Sequence, residues 1–333
     1  MPMRFFFSVA LVYALVGLGV VLPRYDRLAD FLPNALGAIM DYADLVKGTA
    51  IWFLPIAVVL PLVLRPNALK ARAVSVFLAV MGCVAIQVGF TFLKSSIPSV
   101  VPFYADPYLA AFGRFLHGGV DPWVLAHRAV SPQVALDLLP VYLQIWTICA
   151  ISLPVFIALS DDNAERIRRF VWMYLFCWII IGNVLAILFS SVGPVYYDRL
   201  LGGDRFAQLQ GVLVQSGIKS STIGVLQDFL WQAYKSHELI IGTGISAFPS
   251  VHLGIATTTA LYISERSLLF LPVGVIFVGI ILFLSVYTGY HYATDGYFSI
   301  LAVLGFWVWL RRKGSLKVTD EAIEGDKLPH PEG

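Results

Sequence analysis

The chain of 333 residues is 58% hydrophobic and only 13% charged, with a mean hydropathy of +0.78. Soluble domains carry about 25% charged residues, so a water-soluble globular fold is excluded, and a net charge of only +2 gives no reason to expect nucleic acid as a partner. What remains is an integral membrane protein with room for several spans of about 20 residues and for long loops.

Apolar stretches with few charges at 5–21, 49–64, 73–92, 138–159, 170–189, 247–263, 268–289 and 296–310 predict about eight transmembrane helices. The first follows Arg4 in the manner of a secretory signal, but Val20-Val21-Leu22-Pro23 offers no small-x-small cleavage site, so it reads as a retained span. The last is short, with Trp307 and Trp309 in an interfacial belt before Arg311-Arg312-Lys313. Cys83, Cys149 and Cys177 all fall in apolar runs, where a small polarizable side chain packs, and no disulfide or metal cluster is expected. The expected fold class is all-α: a polytopic bundle forming one catalytic domain over 1–312, then a disordered cytoplasmic tail over 313–333.

Basic residues set the orientation. One alternate set of connections holds Arg4; Arg65, Lys70 and Arg72; Arg166, Arg168 and Arg169; Arg266; and Arg311, Arg312 and Lys313. The positive-inside bias makes that set cytoplasmic, with both termini. The other set, 22–48, 93–137 and 190–246, is long and mixed in sign, and suits an extracytoplasmic site in a plasma (inner) membrane.

Within this topology Ala247-Phe248-Pro249-Ser250-Val251-His252 opens the sixth span, and Tyr287-Thr288-Gly289-Tyr290-His291-Tyr292-Ala293-Thr294-Asp295 follows the seventh. The two spans form a hairpin, so His252 and His291 are expected at matched depth on the outer side. Asp295 lies four residues after His291, one helical turn away on the same face, where it can accept a hydrogen bond from the ring. Ser250 and the amides after Pro249 sit where the sixth helix begins, a setting suited to a phosphate. A lone histidine at a span end is ordinarily an interfacial side chain, and Ser250 alone is a helix cap. The pair together with Asp295 favours chemistry.

These residues resemble the second and third signature blocks of the type 2 phosphatidic-acid phosphatase superfamily, Pro-Ser-Gly-His and Ser-Arg-(five residues)-His-(three residues)-Asp. The likeness covers 247–296, with Val251 in place of the glycine and Leu284-Ser285 in place of Ser-Arg. The first block, Lys-(six residues)-Arg-Pro, is absent, since the single Arg-Pro, Arg65-Pro66, is cytoplasmic and has Val58 at the lysine position. Phe-Pro-Ser-x-His with His-Tyr-x-x-Asp is similar to the inositol-phosphorylceramide synthase and sphingomyelin synthase branch. Gly193-Pro194-Val195-Tyr196-Tyr197 resembles a divergent first block, and Tyr196 is taken with Ser250 as substrate-binding.

The resemblance implies a phosphatase or phosphotransferase acting on a lipid phosphate or phospholipid head group, without metal or other cofactor. It implies that His291 attacks phosphorus, that Asp295 orients it, and that His252 serves as acid and base, with water or an alcohol as acceptor. A cation is still required. Arg199, Arg205, Lys219 and Lys235 are the outer-loop candidates, and Arg199, nearest the fifth span, is the expected one. Segment 102–134 is amphipathic and either guides a lipid or packs over the bundle. Hydrolysis and transfer stay open, as do a catalytically inactive lipid-binding member, the lipid's identity and the oligomeric state. A transporter is disfavoured because ionisable residues are nearly absent from the middles of the spans.

Overall fold

The computed structural model describes residues 2–24, 33, 36, 37, 40, 66–236 and 244–325, with side chains except at 66–70 and 314–325. Every regular element among them is helical. The run after Arg4 forms α1 (Pro2–Val21), whose buried stripe of Phe6, Ala10, Tyr13 and Gly17 repeats at three- and four-residue spacing. That stripe lies along α2 (Pro66–Val100), and the Tyr13 hydroxyl reaches past it to Asn183.

Segment 102–134 holds two short helices, α3 (Asp106–Leu116) and α4 (Pro122–Ala129), each with proline in its first turn, where no amide partner is lost. Two long helices follow, α5 (Pro132–Ser160) and α6 (Ala164–Leu188). Each is interrupted by a π-helical stretch, at Val141–Ile145 and Phe176–Leu185. Three outer helices come next, α7 (Pro194–Leu201), α8 (Ala207–Gln215) and α9 (Thr222–Ser236). The chain ends with α10 (Val251–Arg266), α11 (Leu271–Tyr287) and α12 (Ala293–Gly325), and residues 326–333 lie outside those described.

Among the described residues, six helical segments are long and apolar enough to cross a membrane: Pro2–Arg24, Ala71–Val100, Pro132–Ser160, Ala164–Leu188, Leu268–Tyr287 and Ala293–Lys313. The chain is a multi-pass membrane protein. These six meet the expected spans at 5–21, 73–92, 138–159, 170–189, 268–289 and 296–310. The span expected at 49–64 lies outside the described residues. The one expected at 247–263 is α10, which has only 16 residues because the Ser250 side chain caps the helix and Val251 begins it. It covers about 24 Å at about 1.5 Å per residue.

At the far end of α10, Asp161 accepts two bonds from the Arg166 guanidinium at 2.6 and 2.7 Å and one from the Tyr262 hydroxyl at 3.0 Å. Glu265 pairs with Arg169 at 2.8 Å and accepts from Trp307 Nε1 at 2.6 Å. Arg72 joins Asp162 in the same cluster. Burial alone would raise Asp161, but Arg166, the Asn163 amide and Tyr262 hold it below the ordinary carboxylate range. Basic residues thus lock one end of the bundle and leave the other to the histidines.

Candidate active site

The opposite end of α10 is assembled from three pieces of backbone that cross-link one another. The Ala247 amide donates to the Ser191 carbonyl at 2.9 Å, the Phe248 amide to Ser191 Oγ at 2.8 Å, and the Val195 amide to the Gly289 carbonyl at 2.9 Å. Gly193 has a φ of +83°, and a Cβ there would lie 2.4 Å from the Tyr290 carbonyl oxygen, so this approach requires glycine.

Ser250 caps α10, its Oγ accepting from the Leu253 amide at 3.4 Å. Two residues on, His252 faces His291, with ring centroids 5.6 Å apart. The gap is small enough for one phosphoryl group to touch both rings. His291 is fixed at both nitrogens: Nδ1 lies 3.3 Å from Asp295 Oδ2, and Nε2 lies 3.3 Å from Ser250 Oγ. Asp295 is fully buried, and the same oxygen accepts from the Tyr292 amide at 3.0 Å. A carboxylate so placed accepts Nδ1–H and leaves the Nε2 lone pair toward the space beside Ser250.

His252 is clamped by aromatic rings. Tyr142 stacks on it at 4.9 Å and 5°, and Trp146 at 4.0 Å and 26°. Trp146 Nε1 also donates to the His252 carbonyl at 2.9 Å. Both aromatics come from the π-helical stretch of α5 and the residue that closes it, a distortion that frequently accompanies functional sites.

A cavity of about 300 Å³ opens beside the pair, lined by both histidines, Tyr196, Tyr290 and apolar side chains that include Phe90, Trp178 and Leu230. The fold therefore brings His252, His291, Asp295 and Ser250 together, with Tyr196 on the cavity wall. The Tyr196 hydroxyl donates to the Gln227 carbonyl at 2.9 Å, and burial pushes it above the usual phenol range. Arg199 does not line the cavity. It sits 3.8 Å from Asp228 and packs over the Trp231 ring at 5.4 Å. Two further candidates are also paired, Arg205 with Asp121 and Lys219 with Asp228, both at 2.5 Å.

Asp106, Tyr142 and Trp146 complete the site without having been legible in the sequence pattern. Asp106 is fully buried and accepts from the Val192 amide at 2.9 Å, the Gly193 amide at 3.0 Å and the Tyr292 hydroxyl at 2.9 Å. Burial raises it to about 6, against the lowering effect of these donors. Its signal was an acidic residue opening an otherwise amphipathic helix. That helix also carries Tyr108, Phe112 and Phe115 on its exposed side, so the segment both packs on the site and presents an apolar surface.

A bundle of helices long and apolar enough to cross a membrane thus carries, at one end, a histidine pair, a buried aspartate and a capping Pro-Ser step. A family model described as the PAP2 superfamily matches residues 107–315, more than half of the chain. The chain belongs to the PAP2 superfamily. No curated protein and no solved structure matches it.

Proposed function

We propose that this protein is a lipid phosphatase or phosphotransferase that works through a phosphohistidine at His291, with its site on the extracytoplasmic face. The observation that carries the reading is the 5.6 Å separation of the two imidazoles with Asp295 on the inner nitrogen of one of them. His291 Nε2 attacks phosphorus and the P–N bond forms as the bond to the lipid oxygen breaks. His252 gives its proton to that departing oxygen. Asp295 stabilises the positive charge that develops on the His291 ring. Water or an alcohol then loses a proton to His252, attacks phosphorus and breaks the P–N bond, which restores both rings.

Head-group transfer, as in the inositol-phosphorylceramide and sphingomyelin synthases, is favoured by the apolar lining supplied by Phe90, Trp178, Leu226, Phe229 and Leu230. Such a wall suits a lipid-borne acceptor better than bulk water. The extracytoplasmic placement rests on the basic cluster of Arg72, Arg166, Arg169 and Arg266 at the other end of the bundle. The test is phosphate release from phosphatidic acid in mixed micelles, with and without an added lipid alcohol. Wild type is expected to turn over and His291→Ala to lose activity by at least 1000-fold, an order-of-magnitude figure for removing a covalent nucleophile. Equal turnover in the two proteins removes the proposed nucleophile, and product that appears only with the alcohol assigns transfer.

A further inference from the structure

Charge on a transferring phosphoryl group is stabilised by fixed cations, and Arg199, Arg205 and Lys219 are occupied by Asp228 and Asp121. A different cation lies in the cavity. Lys94, near the end of α2, is the single Lys or Arg among the described residues that lines it, together with His252, His291 and Tyr196. It stands 22 residues, about 33 Å of helix, from Arg72 at the basic end of the bundle. Its ammonium lies over the Phe90 ring at 5.3 Å, and no described carboxylate pairs with it. Gly244 packs against its stem, where a Cβ would come within 3.1 Å of Lys94 Cγ.

The same wall carries two further donors without partners. Gln87 and Trp178 are both more than nine-tenths buried and line the cavity, yet Gln87 Nε2 and Trp178 Nε1 meet no hydrogen-bond acceptor among the described residues. A buried donor left unmade is destabilising, and so is an unpaired ammonium among apolar groups in a membrane. Three such groups on one wall share one polarity: all donate. A ligand rich in acceptor oxygens satisfies them together.

We propose that Lys94 is the phosphate-binding cation of this site, contributed by a helix outside residues 107–315, with Gln87 and Trp178 donating to further oxygens of the same substrate. The inference rests on the phosphoryl-transfer reading above. It explains how the site works without the arginine of the first signature block. The anion is the phosphoryl group of the lipid or the free phosphate released from it.

The experiment uses the full-length protein in detergent, with orthovanadate and inorganic phosphate as probes and the fluorescence of Trp146 and Trp178 as readout, alongside KM and kcat for phosphatidic acid. Lys94→Met is expected to weaken vanadate binding at least tenfold and to raise KM, and Lys94→Arg to restore much of both. If phosphate inhibition and KM both change, Lys94 holds the lipid phosphoryl group, and if phosphate inhibition alone changes, it holds the free product. Unaltered binding and turnover in Lys94→Met overturn the assignment while leaving the histidine mechanism intact. A wild type that neither binds vanadate nor turns over lipid phosphate overturns both. Gln87→Leu supplies an independent arm, expected to raise KM with little change in vanadate affinity. An unchanged KM removes Gln87 from the subsite.

Discussion

Asp295 holds one nitrogen of His291 and leaves the other to act, so its removal should affect turnover far more than binding. Asp295→Asn keeps the shape but presents an amide that can donate to Nδ1 and trap the wrong tautomer. The expected outcome is a fall in kcat of about 100-fold or more with KM nearly unchanged, read from steady-state kinetics on phosphatidic acid. Trp146 offers a graded case, because its ring and its N–H act separately on His252. Trp146→Phe removes only the bond to the His252 carbonyl and should lower the unfolding free energy by about 1 kcal/mol, whereas Trp146→Ala also removes the stacked face and should depress kcat as well. Equal activities in the two variants would show that the stack does not position His252.

The four residues that lie together, His252, His291, Asp295 and Ser250, owe that to short-range geometry. His291 and Asp295 are four apart, Ser250 caps the helix that bears His252, and a hairpin joins the halves. Asp106 and Trp146 bond partners 86 and 106 residues away in sequence, and Lys94 lines one cavity with His252 and His291; no periodicity tells which helix will neighbour which. Arg199 is the outer-loop cation nearest the fifth span along the chain. In the fold Asp228 and Trp231, from α9, claim it.

At the level of elements, Asp106 ties α3 to the start of α7 and to the turn before α12. It is a carboxyl whose value is raised to about 6, so the folded state favours its protonated form. The sign follows directly: from about pH 4, where the unfolded chain ionises, up to about 6, rising pH removes stability through this group, and above 6 its effect is level. The difference from the ordinary carboxylate value corresponds to roughly 3 kcal/mol. Asp106→Asn should abolish that slope in thermal unfolding midpoints between pH 4 and 6, while loosening the loop at Gly193 because one oxygen acceptor becomes a donor. A slope identical in wild type and Asp106→Asn would assign the pH dependence to other groups.

Helix positions were legible because an apolar run near 20 residues admits few other structures in a membrane. Helix ends were less so. α10 begins at Val251 rather than at 247 because Ala247 and Phe248 spend their amides on Ser191, and Ser250 turns its hydroxyl to the helix start. The π-helical stretches of α5 and α6 have no compositional mark at all, although the first one places the aromatic clamp.

In the molecule as a whole, α10 separates an ion-paired cluster at one end from the proposed histidine site at the other. Its far end carries the Asp161, Arg166, Tyr262 and Glu265 cluster, about 20 Å of helix from His252. Arg166→Met leaves the Asp161 carboxylate, whose side chain is 1% exposed, without its cation. The variant should unfold earlier by about 1–3 kcal/mol while its kcat stays within about twofold of wild type, and a large loss of kcat at equal stability would show that the two ends are coupled.

The central claim is that His291 carries the phosphoryl group covalently, and trapping that group tests it most directly. Protein mixed with phosphate-labelled phosphatidic acid and quenched in alkali should hold label that is lost in acid and maps to the peptide containing His291, with none in His291→Ala. Label on another residue, or rapid turnover by wild type with no trapped label at any quench time, would contradict the account.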